Sequence, residues 1–253
     1  MQANRIQFLN CPIDAITMEQ TVEQCLAWSR NPRQSHILVT VNVATLIMMR
    51  TDQQLREACV TADLIVSDGV PVLWACRWLN MPLKGRVAGV DLLARLLEVG
   101  SRHRLRVYFL GAKPEVLKQL VNVCHQQYSG VNIVGYQDGY FSESEHPRII
   151  SEIRNSGADF LFIGMPTPFK ENWAHRYKTE LNIPLILGVG GSFDVLAGFI
   201  RRAPRWMQNI GMEWFWRLMM EPGKLWKRYL VGNSTFIWLV LRESWSYNRW
   251  LRK

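Results

Sequence analysis

Between Ile37 and Leu187 the chain repeats one unit: a short uninterrupted apolar run, a turn of glycine or polar residues, then a longer stretch with helical spacing. The runs are Ile37–Val41, Leu64–Val66, Arg106–Leu110, Val131–Val134, Asp159–Ile163 and Pro184–Leu187. The stretches between and after them, read as helices, are Ala44–Ala58, Pro71–Leu79, Val90–Val99, Pro114–Tyr128, Pro147–Asn155 and Phe169–Leu181. A strand with one wet face alternates apolar and polar residues; a strand without that alternation is covered on both faces. Parallel neighbours also need a long crossover, usually a helix. The repeat therefore predicts an α/β fold: a mostly parallel, Rossmann-like sheet with helices on both faces and right-handed crossovers.

After Gly191 the repeat stops. Ala203–Met220 and Pro222–Arg252 read as helices with no strand between them, so residues 1–199 are expected to form the α/β domain and residues 200–253 a helical appendage. Ile200–Lys253 holds seven of the eleven tryptophans, and eleven Lys/Arg against only Glu213, Glu221 and Glu243, which is eight of the nine net positive charges. Leu225, Trp226, Tyr229, Leu230, Ile237, Leu241 and Trp245 recur at roughly helical spacing, with Lys224, Lys227 and Arg228 beside them. A basic, Trp-rich amphipathic helix suits an anionic membrane surface. The alternative is that these aromatics are core contacts against the α/β domain or a second subunit, which leaves a homo-oligomer open. No apolar segment follows Met1 and no apolar run of about 18 residues occurs, so the expectation is a cytoplasmic protein, peripheral on the inner face of the cell membrane. Five cysteines without a CxxC pair are expected to be buried, reduced thiols.

In open α/β sheets ligands bind beyond the carboxyl ends of the strands. The residues following the runs are Thr40 and Asn42, then Asp68-Gly69, Gly111-Ala112-Lys113, Asp138-Gly139, Gly164-Met165-Pro166 and Gly188-Val189-Gly190-Gly191. Glycines there let a backbone approach a phosphate. Gly111, Gly188, Gly190 and Gly191 are thus candidates for holding a nucleotide diphosphate, and Asp138 is a further substrate-binding candidate. Gly188–Asp194 resembles a dinucleotide fingerprint, but Phe193 stands at its third glycine and no acidic residue ends a strand about 20 residues on. A nicotinamide cofactor is disfavoured, and no other cofactor is expected. Asp68 is the best candidate base; a helix N-cap before Val70–Pro71 is the alternative. No metal site is expected, since the five histidines have no paired spacing and no Asp-x-Asp occurs.

Several stretches together resemble the WecG/TagA/CpsF glycosyltransferases: Thr40-Val41-Asn42, Ser67-Asp68-Gly69, Arg86–Leu92, Gly135–Phe141, Gly188–Gly198, Arg202–Trp206, Gly211–Leu218 and Glu221–Tyr229. The likeness runs from about Val39 to Leu230 in the family's order. It implies a metal-independent, inverting transfer from a UDP-sugar to a polyprenyl-diphosphate-linked sugar in surface polysaccharide (exopolysaccharide) synthesis. The α/β domain would bind the sugar nucleotide. Asp68 matches the base, Thr40 and Asn42 match polar residues of the sugar-nucleotide crevice, and Arg86 matches a cation near the reacting groups. Arg217, Lys224 and Lys227 or Arg228 match basic tail residues that close over the site. Lys224 stands where the family often has Arg, keeping the charge but losing the bidentate fork.

One loop departs from the family. Gly164-Met165-Pro166-Thr167-Pro168-Phe169-Lys170-Glu171 is two residues longer than the family's Gly-x-Pro-Lys-Gln-Glu, with Lys170 in place of a Gln expected near the donor sugar. Lys170 is read either as a partner for a uronate carboxylate or as a solvated helix residue. The rival functions are a nucleic-acid-binding module using the tail and a nucleotide-cofactor dehydrogenase. The first lacks any RNP-like or helix-turn-helix pattern, so no nucleic-acid partner is expected.

Overall fold

A computed structural model describes the backbone of residues 4–31, 34–220 and 222–251. A hairpin opens the fold, with β1 (Arg5–Phe8) antiparallel to β2 (Cys11–Asp14), followed by α1 (Met18–Ser29). Neither the hairpin nor α1 belongs to the apolar repeat that is visible in sequence from Ile37 onward. The hairpin belongs to the core all the same: Phe8, Cys11 and Ile13 are fully buried. Asp14 also accepts from the backbone N–H of Ile65, which ties the hairpin to the sheet.

The alternating region follows as β3 (His36–Val41), α2 (Val43–Met48), α3 (Gln53–Val60), β4 (Leu64–Ser67), α4 (Val70–Trp78), α5 (Gly89–His103), β5 (Arg106–Gly111) and α6 (Pro114–Gln127). It continues with β6 (Asn132–Gln137), α7 (His146–Ser156), β7 (Phe160–Gly164), α8 (Phe169–Leu181), β8 (Leu185–Gly188) and α9 (Ser192–Leu196). Every described pairing in the six-stranded sheet is parallel, in the order β4-β3-β8-β7-β5-β6. Successive strand residues feed opposite faces. Ile37, Val39 and Val41 join one buried cluster, with parts of α2, α3, α4, α7 and α8. Leu38 joins the other, with α1, α5, α6 and α9. All five cysteines are buried and free, and burial pushes the thiols of Cys11, Cys76 and Cys124 up to about 12. At neutral pH they are unreactive thiols.

Two expected helices are broken. The stretch Ala44–Ala58 divides at Asp52, whose carboxylate accepts from the N–H of Leu55 and starts α3 as a new N-cap. The stretch Ala203–Met220 divides into α10 (Arg205–Asn209) and α11 (Glu213–Met220). Gly211 lies between them at φ +69°, and a Cβ there would stand 2.9 Å from Val70. Only glycine suits both the conformation and the approach.

The chain ends in α12 (Pro222–Leu251). Phe236, Leu239 and Val240 are buried, and the Phe236 ring meets Phe8 edge-on at 6.2 Å. The opposite side leaves Trp226, Ile237, Trp238, Leu241 and Trp245 exposed. The described members of the predicted stripe, Trp226, Ile237, Leu241 and Trp245, face outward rather than into the core, and the core contact is made by Phe236, outside that stripe. The side chains of Leu225, Tyr229 and Leu230 lie outside the described residues. Among the described residues no helix is long and apolar enough to cross a membrane.

Candidate active site

Strand order decides which turns meet. β4, β3 and β8 are consecutive in the sheet. Their carboxyl ends therefore bring together Asp68, Thr40 with Asn42, and Gly188–Gly191.

Two clefts open there. One is lined by Thr40, Lys170, the Gly188–Gly191 turn, Ser192 and Trp216. The other is lined by Val70, Pro71, Arg86, Glu213, Trp214 and Asn233. Asn42, Asp68, Val90 and Arg217 line both. Asp68 therefore stands in a common wall.

The Asp68 carboxylate accepts from the backbone N–H of Gly89 at 3.2 Å, at the start of α5. α4, which follows Asp68 directly, begins at Gly69 with no side-chain cap. The N-cap read from the sequence is thus not formed on α4. A Cβ on Gly89 would lie 3.6 Å from both Asp68 Oδ2 and Thr40 Oγ1, so the glycine keeps this corner open. Burial raises the Asp68 pKa above the usual carboxylate value; the Arg86 charge and the Gly89 N–H oppose that, Glu213 reinforces it and Arg217 opposes it. A carboxylate raised toward neutrality is a better base than an ordinary one.

The cations are held by a network that joins α11 and the loop before α10 to α5 and the loop before it. Arg86 donates to Glu213 at 2.9 Å, and its guanidinium is 3.9 Å from Asp91. Arg202 binds Asp91 through both terminal nitrogens and lies 3.7 Å from Glu213. Burial would raise the Asp91 pKa, but the Arg202 hydrogen bond and charge and the Arg86 charge outweigh it, so it lies below the usual value. Arg217, 3.9 Å from Glu213, projects where both clefts meet. Asn42 has a second duty, accepting from the Thr45 N–H to cap α2.

Lys170 corrects one expectation. It is 7 % exposed rather than solvated, donates to Thr167 Oγ1 at 2.7 Å and pairs with Glu171. Its stem crosses Gly188, where a Cβ would sit 2.9 Å from Lys170 Cδ. Gly190, at φ +55°, completes the turn.

Gly111 and Asp138 line neither of these clefts. β5 and β6 lie beyond β7, away from β3. Gly111, at φ +114°, admits the backbone of Gly164, which a Cβ would meet at 2.7 Å. Asp138 accepts from the N–H of Tyr140 at 2.8 Å and shapes a turn. The side chains of Lys224, Lys227 and Arg228 lie outside the described residues.

Sequence reasoning assigned no role to Glu213, Trp214, Asn233, Gly89, Ser192 or Asp91. Glu213 counts in sequence as one of three tail acids and falls in the Gly211–Leu218 stretch of the resemblance, but its pairing with Arg86, 127 positions away, has no local signal. Gly89 and Asp91 fall in the Arg86–Leu92 stretch that carried the resemblance.

Residues 6–250 match the glycosyl transferase WecG/TagA/CpsF family. The chain is 32% identical over 207 residues, 82% of its length and 79% of the relative's, to the N-acetylglucosaminyldiphosphoundecaprenol N-acetyl-beta-D-mannosaminyltransferase of Bacillus subtilis (strain 168). It is 32% identical over 206 residues, 81% of its length and 79% of the relative's, to the protein of that name from Bacillus spizizenii (strain ATCC 23059 / NRRL B-14472 / W23). With strand ends, clefts and cations arranged as above, the chain belongs to the WecG/TagA/CpsF family and is a glycosyltransferase.

Proposed function

We propose that the chain moves a sugar from a UDP-sugar to a polyprenyl-diphosphate-linked sugar in bacterial surface polysaccharide synthesis, by a metal-independent displacement that inverts the anomeric centre. The observation that carries this reading is the shared wall: Asp68 and Arg217 line both clefts. The donor occupies the cleft of Thr40, Lys170 and Gly188–Gly191, whose glycines leave room for a diphosphate. The acceptor head occupies the cleft of Arg86, Trp214 and Asn233. Such an acceptor is named for both Bacillus relatives.

Asp68 takes the proton of the acceptor hydroxyl. That oxygen forms a bond to the donor's C1 as the C1–O bond to the diphosphate breaks, and the electron pair leaves with UDP. A positioned general base contributes about 10²–10⁴-fold. Arg217 offsets charge developing on the leaving diphosphate, with Arg86 at the acceptor side. Lys224 and Lys227 or Arg228 would add to it by the family resemblance. The exposed Trp226, Trp238 and Trp245 of α12 suit the headgroup layer of an anionic membrane, which supports a peripheral position on it.

A panel of UDP-sugars offered with polyprenyl-diphosphate-linked N-acetylglucosamine tests this. The expected result is transfer from one donor, one UDP per transfer, an inverted anomer, and activity that survives EDTA. No transfer from any UDP-sugar overturns the donor assignment, and loss of activity with EDTA overturns metal independence.

A further inference from the structure

The helix α4 is apolar on both sides. Of its nine residues, Val70–Trp78, only Arg77 carries a charge. Val72, Leu73, Ala75 and Cys76 face the core, which accounts for one side. On the other, Trp74 is 52% and Trp78 66% exposed. A helix covering a sheet ordinarily presents a polar face to water. Two exposed indoles on so short a helix are the kind of apolar patch that marks a contact surface.

The patch has a direction. Val70, Trp74 and Trp78 are spaced i, i+4, i+8, so they form one stripe about 12 Å long at 1.5 Å per residue. Its inner end is in the active site, because Val70 and Pro71 line the cleft of Asp68 and Arg86. The turn at Gly211 rests on it: a Cβ there would be 2.9 Å from Val70 and 3.5 Å from Trp74. The next residue back, Ile210, is itself exposed. The stripe thus begins beside the reacting carboxylate and runs out to solvent, with the basic Arg77 on its flank.

We propose that the α4 stripe of Val70, Trp74 and Trp78 binds the isoprenoid chain of the acceptor lipid where it leaves the catalytic cleft. This rests on the acceptor assignment made above. An acceptor held by its sugar and diphosphate near Asp68 and Arg86 must lead its apolar chain out of that cleft, and the stripe is an apolar path that starts there. A bilayer-contacting patch would not need to reach the cleft lining, as Val70 does.

The test uses the full-length Trp74→Ser/Trp78→Ser double variant, whose positions are exposed enough for the fold to tolerate it; an unchanged Tm confirms that. In detergent, the KM for a long-chain polyprenyl-diphosphate acceptor is expected to rise at least about 10-fold. The kcat, the KM for a short-chain water-soluble acceptor and sedimentation with acceptor-free anionic vesicles are expected to stay within about twofold. Equal changes for both acceptors, or none, overturn the proposal. Lost vesicle binding with unchanged KM in detergent assigns the stripe to the bilayer instead and also overturns it. Equilibrium binding of sugar-free polyprenyl diphosphate reads the stripe even if the wild type transfers no sugar. The variant should bind it at least about 10-fold more weakly, and equal binding by the two proteins contradicts the assignment.

Discussion

The two halves of the sheet carry the same turn chemistry and put it to different uses. At the β5 and β6 ends stand Gly111 and Asp138; at the β8 and β4 ends stand Gly188 and Asp68. In sequence the pairs are interchangeable. In the fold, Gly111 closes against Gly164 and Asp138 folds back on Tyr140. Gly188 instead makes way for the Lys170 stem beside a cleft, and Asp68 holds the wall between two clefts. A glycine or carboxylate after a strand becomes a site only where strand order leaves a crevice and a later element supplies charge. α11, which brings Glu213 and Arg217, reaches the β4-β3-β8 side.

The largest expected contrast is between the two aspartates. Asp68→Asn should lower transfer by at least about 100-fold. It should also raise the Tm at neutral pH. The folded-state pKa of Asp68 lies above the ordinary value, so ionising it opposes folding once the pH exceeds that of the unfolded carboxyl. Below that range both states hold the proton, so the gain should vanish on acidification. Thermal melts from pH 7 to 3 check the sign. Unaltered melting at pH 7 would contradict the burial argument.

Next comes the buried pair. Glu171→Gln leaves the Lys170 ammonium uncompensated and should destabilise the fold by about 3–5 kcal/mol in urea titrations. If the loss is under about 1 kcal/mol, Lys170 is finding another partner. The glycines sharpen the comparison further. Gly188→Ala displaces the Lys170 stem and should raise the donor KM several-fold. Gly111→Ala should lower the Tm while leaving the donor KM of the folded protein unchanged, and a raised KM there would return Gly111 to the site. The smallest effect is expected for Asp138→Asn. Asparagine still accepts from Tyr140, so turnover should stay within about twofold and stability within about 0.5 kcal/mol.

The parallel sheet was legible because a strand buried on both faces has no polar alternation to hide it, as in Phe160–Ile163. The opening hairpin was not, because Arg5-Ile6-Gln7-Phe8 and Cys11-Pro12-Ile13-Asp14 mix polar residues or a proline with their apolar ones and form no continuous apolar run. Thr40, Asn42, Asp68 and Gly188 are picked out together with Gly111 and Asp138 because a strand end is visible in sequence; strand order, which sets the last two apart from the two clefts, is not. The Arg86–Glu213–Arg202–Asp91 network joins residues more than 100 positions apart, and nothing local announces it. The solvated reading of Lys170 fails because its burial depends on Gly188, which lies on another element.

The pH dependence of kcat/KM tests the central claim most directly, that Asp68 is the base in the common wall. Its ascending limb should lie above the ordinary aspartate range. Glu213→Gln removes a neighbouring negative charge and should move the limb to lower pH, whereas Arg86→Gln removes a positive one and should move it higher. A limb that stays in place in both variants, or that persists in Asp68→Asn, would assign the proton transfer to another group.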